Sequence, residues 1–185
     1  MKRPIEFAHS LLKESVHEGD FLIDATCGNG NDTLFLAQLT GKEGFVHAYD
    51  VQKEAILRSK ELTKSHVNIR YILDSHAKIS YYLAEEDIKQ VDGAIFNLGY
   101  LPKSDKSIIT KPDSTIQAIA SILKVLNKGK RVVIVIYHGH EGGKDEKNAV
   151  LDYVRALNQK EFAVLQYGFI NQKNNPPFVI GIEKN

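Results

Sequence analysis

Asp24, Asp50 and Asp74 each close a short apolar run: Phe21-Leu22-Ile23, Phe45 to Tyr49, and Ile69 to Leu73. Between the first two lies Asp24-Ala25-Thr26-Cys27-Gly28-Asn29-Gly30-Asn31-Asp32-Thr33. Gly28 and Gly30 let the backbone pass close to a ligand. Asp50, 20 residues after Gly30, is placed to accept both ribose hydroxyls of an adenosine, with Val51 and Gln52 beside it. The pattern is that of a nucleoside site. A dinucleotide fingerprint shares glycines and a downstream acid, but here Thr33 stands where its third glycine would be. Asn29, Asn31 and Asp32 also make the turn polar and partly anionic, where a pyrophosphate wants bare backbone N–H groups. S-adenosylmethionine carries an ammonium, a sulfonium and an adenosine, so these side chains suit it better than a nicotinamide dinucleotide. The Asp24 carboxylate then suits the ammonium, and Asp74-Ser75-His76 meets the adenine. Cys27 has no recognisable base partner that would make it a nucleophile, so it is expected to line the cofactor as a small turn residue.

Two further segments carry candidate chemistry. Phe96-Asn97-Leu98-Gly99-Tyr100-Leu101-Pro102 has the spacing of the [N/D]-P-P-[Y/F] turn that orients exocyclic amines for methylation, with Asn97 first and Tyr100 fourth. An amide oxygen can direct the amine's lone pair, and an aromatic ring can hold the base. Asn97 and Leu98 also face the cofactor, while Leu101, Pro102, Lys103 and Lys106 are candidate substrate contacts. His138-Gly139-His140-Glu141-Gly142-Gly143 offers His140 as a proton shuttle, with His138, Glu141 and the distant His9 touching substrate. His-x-His with a nearby Glu also allows a zinc hydrolase, with His9 or His76 completing the set. The nucleoside turn has no part in that reading, and no metal is expected. Lys103, Lys106, Lys111, Lys124, Lys128, Lys130 and Arg131 are available for phosphates.

These residues need a scaffold that brings strand ends together. Apolar residues at 5, 8, 12 and 16 predict a helix over 5–17, followed by a strand, the glycine turn and a helix. Strand 45–49, a helix near 52–63, strand 69–73, a short helix near 77–84 and strand 91–96 continue the alternation. Helix 113–126, strand 131–137 and a helix over 145–158 come after the long connection 97–112. Alternation of this kind implies an α/β fold: an open, doubly wound, seven-stranded and mostly parallel sheet with helices on both faces. Strands 162–170 and 178–182 are joined by too few residues for a crossover helix, so an antiparallel pair closes the sheet.

Composition agrees with one domain. The 185 residues are 43% hydrophobic and 25% charged, which excludes disordered tails and coiled-coil rods. Lys and Arg total 24 against 23 Asp and Glu, so RNA must be held by a local patch rather than by bulk charge. One cysteine forbids an internal disulfide, and no signal-like or membrane-spanning run is present. The cytoplasm is the expected address, without a membrane partner.

Taken together, Phe7-Ala8-His9, Asp24 to Thr33, Asp74-Ser75-His76, Asn97 to Pro102 with Ser104-Asp105-Lys106, His138 to Gly143 and Asn175-Pro176-Pro177 resemble the YtqB-like family of class I methyltransferases, over nearly the whole chain. That family was long labelled rRNA methylase. The resemblance implies a tRNA methyltransferase that converts the amine of 5-aminomethyl-2-thiouridine at the wobble position to 5-methylaminomethyl-2-thiouridine, with the anticodon region as partner. The chain departs from the pattern at Lys103-Ser104, where relatives often have two glycines. An rRNA methyltransferase is the nearest alternative, and a homodimer is a further partner the sequence allows.

Overall fold

Val132-Val133-Ile134-Val135-Ile136 is buried throughout, as a strand with helices on both sides must be. The computed structural model describes residues 1–99 and 110–185 and places this run in the middle of a seven-stranded sheet. The strands are β1 (Phe21–Asp24), β2 (Phe45–Asp50), β3 (Ile69–Leu73), β4 (Val91–Leu98), β5 (Leu126–Ile136), β6 (Phe162–Tyr167) and β7 (Phe178–Lys184). Their order is β3-β2-β1-β4-β5-β7-β6. The first five run parallel, and β7 lies antiparallel to both β5 and β6.

The helices are α1 (Pro4–Ser15), α2 (Asn31–Thr40), α3 (Lys53–Leu62), α4 (Ile79–Glu85), α5 (Pro112–Val125) and α6 (Gly143–Arg155). Strand alternation sorts them onto two faces. Leu22, Val46, Ile95, Val133, Val135 and Val179 point to α1 and α2, while Ala48 meets α3 through Ile56. Ile23, Tyr49, Phe96, Ile134 and Ile180 point the other way, into a larger core with Leu83, Ile119, Ile122 and Val150 from α4, α5 and α6. Among the described residues no helix is long and apolar enough to cross a membrane.

The alternating elements match the sequence expectation, and the differences are local. The expected short helix is a 3₁₀ turn, His76–Lys78, running into α4. β5 begins at Leu126, directly after α5, because Leu126 pairs with Val91 ahead of an irregularity in the β4 register. α6 starts at Gly143 rather than 145, with Gly142 at its N-cap in the left-handed region at φ 77°. β6 stops at Tyr167 rather than 170, since β7 ends its pairing there opposite Val179.

Phe96 is fully buried in the larger core, with the His76 ring edge-on at 5.9 Å between centroids. Phe96→Ala is expected to cost about 3–5 kcal/mol of stability through lost burial and the cavity left behind. The shift of the denaturant midpoint at unchanged slope measures it.

Candidate active site

The carboxyl ends of β1 to β5 all open on one edge of the sheet, and the turn after β1 forms the floor of a cleft there. Asp24 holds that turn. Its Oδ1 accepts the Thr26 N–H (3.1 Å) and its Oδ2 accepts the Thr33 hydroxyl (2.6 Å), so one carboxylate ties the end of β1 to the first turn of α2. Between them the Cys27 N–H donates to the Tyr49 carbonyl (2.8 Å) and the Gly28 N–H to Asp50 Oδ2 (2.8 Å), lacing the turn to the end of β2. Gly30 has φ 85°, and a Cβ there would stand 2.7 Å from the Ser59 Cα on α3. Only glycine fits between turn and helix.

Asp50 accepts the Gln52 N–H on its other oxygen (2.8 Å). Burial pushes its carboxyl above the ordinary range, against backbone bonds from Gln52, Gly28 and Val51. Asp74 accepts the Ser75 N–H (2.8 Å), the Lys78 ammonium (3.0 Å) and the Tyr82 hydroxyl (3.0 Å). The His76 Nδ1–H donates to the Ala25 carbonyl (3.1 Å), and burial lowers the ring's pKa, so the imidazole is neutral. Across the cleft, the Asn97 N–H donates to Thr26 Oγ1 (2.7 Å) and its side-chain amide to Asp32 Oδ2 (3.2 Å). Asp32 Oδ1 lies 2.7 Å from His9 Nε2, and the His9 ring stacks on Phe35 at 3.8 Å between centroids.

The cleft between these groups has a volume of about 810 Å³. Of the residues predicted for the cofactor, 26–29, 31, 32, 50–52, 74–76, 97 and 98 line it. Asp24 does not reach it: the side chain is wholly buried behind the turn, both oxygens are taken by the turn's own donors, and it therefore holds the floor in place. Gly30 and Thr33 likewise stand behind the lining. Burial and the neighbouring Asp32 raise the Asp24 carboxyl well above the ordinary range. Burial also raises the Cys27 thiol to about 12, so it is no thiolate nucleophile.

The residues after β5 differ from expectation. His140 turns into its own loop, with Nδ1 2.9 Å from the Glu141 carbonyl and Nε2 2.9 Å from the Tyr137 carbonyl. His138 turns its edge to the Phe178 ring. Neither these histidines nor Glu141 lines the cleft. Tyr137, the residue before them, does. Tyr100, Leu101, Pro102, Lys103 and Lys106 lie outside the described residues. Among the described residues, no group of three or more His, Cys, Asp or Glu is gathered to hold a metal ion.

Sequence reasoning also missed Ile5, Tyr49, Thr110 and Ser114, which line the cleft together with Gly99 of the quoted 96–102 segment and Lys111, one of the lysines expected to be available for phosphates. Thr110 has a recognisable task. It accepts the Gly99 N–H at Oγ1 (3.2 Å), donates its own N–H to the Gly99 carbonyl (3.3 Å), and gives its hydroxyl to Glu146 Oε2 (2.6 Å). Glu146, buried on α6, takes Thr115 on its other oxygen (2.7 Å). The unusual length of the connection after β4 pointed to this segment, but nothing in the sequence linked it to a glutamate 36 residues on.

The fold and the site define an S-adenosylmethionine-dependent methyltransferase of class I. Residues 46–183 match the model of the family described as "Putative rRNA methylase", and the chain belongs to that family. A tRNA (mnm(5)s(2)U34)-methyltransferase, chloroplastic, from Arabidopsis thaliana is 33% identical over 189 residues, covering 96% of this chain and 68% of its own. The crystal structure of a "putative rRNA-methylase" from Clostridium thermocellum is 39% identical, with a TM-score of 0.96 over 100% of this chain and 99% of its own. SMU.1697c, a methyltransferase of Streptococcus mutans solved in complex with SAH, is 41% identical with a TM-score of 0.91 over 100% and 99%.

The raised Asp24 carboxyl has a measurable consequence. The folded protein holds its proton to higher pH than the unfolded chain, so Asp24 contributes stability that is complete below about pH 4 and lost as pH rises towards neutrality. Asp24→Asn should flatten that part of the stability curve. Denaturant midpoints across the range compare the slopes, and parallel curves would contradict the assignment.

Proposed function

We propose that this chain transfers the methyl group of S-adenosylmethionine to the amine of 5-aminomethyl-2-thiouridine at the wobble position of tRNA. The carrying observation is that an acid-lined nucleoside half (Asp50, Asp74) and an amide–carboxylate half (Asn97, Asp32) share one cleft of about 810 Å³. Cavities of roughly 300–1,000 Å³ are typical of small-ligand and cofactor sites. The likeness to the Arabidopsis tRNA methyltransferase over 96% of the chain supports the acceptor class.

The residues suit the cofactor on chemical grounds. Asp50 accepts the Gly28 N–H on one oxygen and the Gln52 N–H on the other, which holds its carboxylate at the end of β2 where the two ribose hydroxyls would donate to it. Ser75 and His76 flank the adenine end, and the turn's amides and Asp32 suit a ligand of positive charge. When bound, S-adenosylmethionine supplies a methyl already activated on sulfur, so the chain's tasks are to orient, to exclude water and to receive a proton. Asn97, fixed by Thr26 and Asp32, directs the amine. Tyr100 beside it stacks on the base, and His9, Lys103, Lys106 and the rim residue Lys111 meet the RNA. We place the work in the anticodon region and in the cytoplasm.

An rRNA acceptor is the second reading. The family's description favours it, as does a Ribosomal RNA small subunit methyltransferase H from Halothermothrix orenii, 34% identical over 51% of this chain and 32% of its own.

Asp50→Ala should weaken S-adenosylmethionine binding by about 1.5–3 kcal/mol for each ribose hydrogen bond lost, read by calorimetry. Unchanged affinity would remove the ribose assignment. The function itself is tested by nucleoside mass spectrometry of tRNA and rRNA from cells lacking the protein, before and after incubation with the purified chain and S-adenosylmethionine. Gain of one methyl on 5-aminomethyl-2-thiouridine is expected, whereas a gain in rRNA alone would establish the second reading.

A further inference from the structure

An alkyl amine titrates near 10, so at neutral pH the proposed acceptor arrives as an ammonium and must lose a proton before its lone pair can attack. Several groups near the cleft are poorly placed to take it. His76 donates its Nδ1–H to Ala25, and the burial that lowers the ring's pKa disfavours a second proton on Nε2. The Tyr137 hydroxyl is pushed up by burial and by Asp32, so it stays protonated and is no base for the ammonium. His140 has both ring nitrogens on carbonyls of its own loop. Asp24 stands behind the turn with both oxygens occupied.

Asp32 stands apart from these. It lines the cleft beside Asn97, and its side chain, only 8% exposed, is held from two sides by His9 on Oδ1 and Asn97 on Oδ2. Each oxygen takes one bond, so each keeps a lone pair. Among the described residues, the charged and titratable groups with an interaction to it are His9 from α1, Asp24 at the end of β1 and Tyr137 after β5; Lys111 lines the same cleft, and Lys13 of α1 lies over the Phe35 ring at 5.6 Å. No fixed cation among these neutralises the carboxylate.

We propose that Asp32 is the proton acceptor of the methyl transfer and that His9 is its positioning residue. The assignment rests on the amine reading above and supplies the step that reading leaves open. The ammonium gives one proton to Asp32 Oδ2. The freed nitrogen lone pair forms a bond to the methyl carbon as the carbon–sulfur bond breaks, its electrons staying on sulfur as a neutral thioether. One cation enters on the ammonium and one on the sulfonium; the methylated ammonium carries one away, and the carboxylate's charge is cancelled by the proton it took. Water then collects that proton as the product leaves. His9 keeps Asp32 aimed: its ring is fixed by stacking on Phe35, and its Nε2–H donates to the oxygen that does not take the proton.

The test uses the whole chain, S-adenosylmethionine and tRNA carrying 5-aminomethyl-2-thiouridine. Methyl-transfer rates at saturating cofactor are followed from about pH 6 to 10, with cofactor affinity measured in parallel by calorimetry. Asp32→Asn, of the same shape, should lower the rate at neutral pH on the order of a hundredfold and recover towards pH 10, where free amine is abundant, at a cofactor concentration that saturates the variant. His9→Phe keeps the stack and loses the donor, so its profile should also move to higher pH. His9→Gln, which restores an N–H, should return towards the wild-type profile. Variant profiles superposable on an active wild type would overturn the assignment of Asp32 while sparing the amine reading. Cofactor affinity weakened tenfold or more, with an unchanged profile, would likewise overturn it and place Asp32 in the cofactor's subsite. A wild type that transfers no methyl at any pH would overturn both together.

Discussion

A polar group in the middle of a protein must have hydrogen-bond partners, and the Asp24 carboxyl meets that condition by binding the chain on either side of its own turn. The Thr26 N–H and the Thr33 hydroxyl come from opposite ends of the glycine segment, so the bonds that partner its two oxygens also set the shape of the cleft floor. Everything else is registered to that floor. Asp50 is fixed to it through the Gly28 N–H, Asn97 through the Thr26 hydroxyl, and His76 through the Ala25 carbonyl. Three other strand ends are thus tied to the stretch just after β1.

The site is also an electrostatic compromise. A chain of formal net charge +1 places Asp24, Asp32, Asp50 and Asp74 along one sheet edge, while its partner under the proposed function is a polyanion. The carboxylates lie low in the cleft or behind it, where a cationic cofactor would offset them, and Lys111 stands among the lining residues beside them. RNA phosphates would then meet lysines at the surface and be kept from the floor, which leaves room there for an extruded base but not for the backbone.

Much of the fold was legible because local and global signals agreed. The valine–isoleucine run of β5, the alternation of strands and helices, and the short link between the last two strands each have a single reading in a packed domain. Much of the cleft lining was legible for the same reason: strand ends are easy to locate, and many of the residues just beyond them face the cleft. Asp24 shows the limit of that rule. Its place at a strand end suggested a ligand contact, and only its burial and its two donors revealed a structural tie. Tyr137 was missed and His140 overvalued because the loop's histidines drew attention from the side chain at the very end of the strand. Glu146 could not be found at all, since pairing between α6 and the start of α5 is a tertiary event with no local signature.

The Gly99–Thr110 bridge has a consequence for how this chain can change. One backbone bond, one bond from the Gly99 N–H to the Thr110 hydroxyl and the Glu146 anchor join the two ends on either side of the intervening ten residues. The entropy of spanning such a closed gap grows only with the logarithm of its length, so insertions there weigh little on the stability of the sheet. The clamp therefore belongs to the two ends alone: Gly99, Thr110 and Glu146 would hold the close of β4 to the start of α5 across a longer connection as well as across this one.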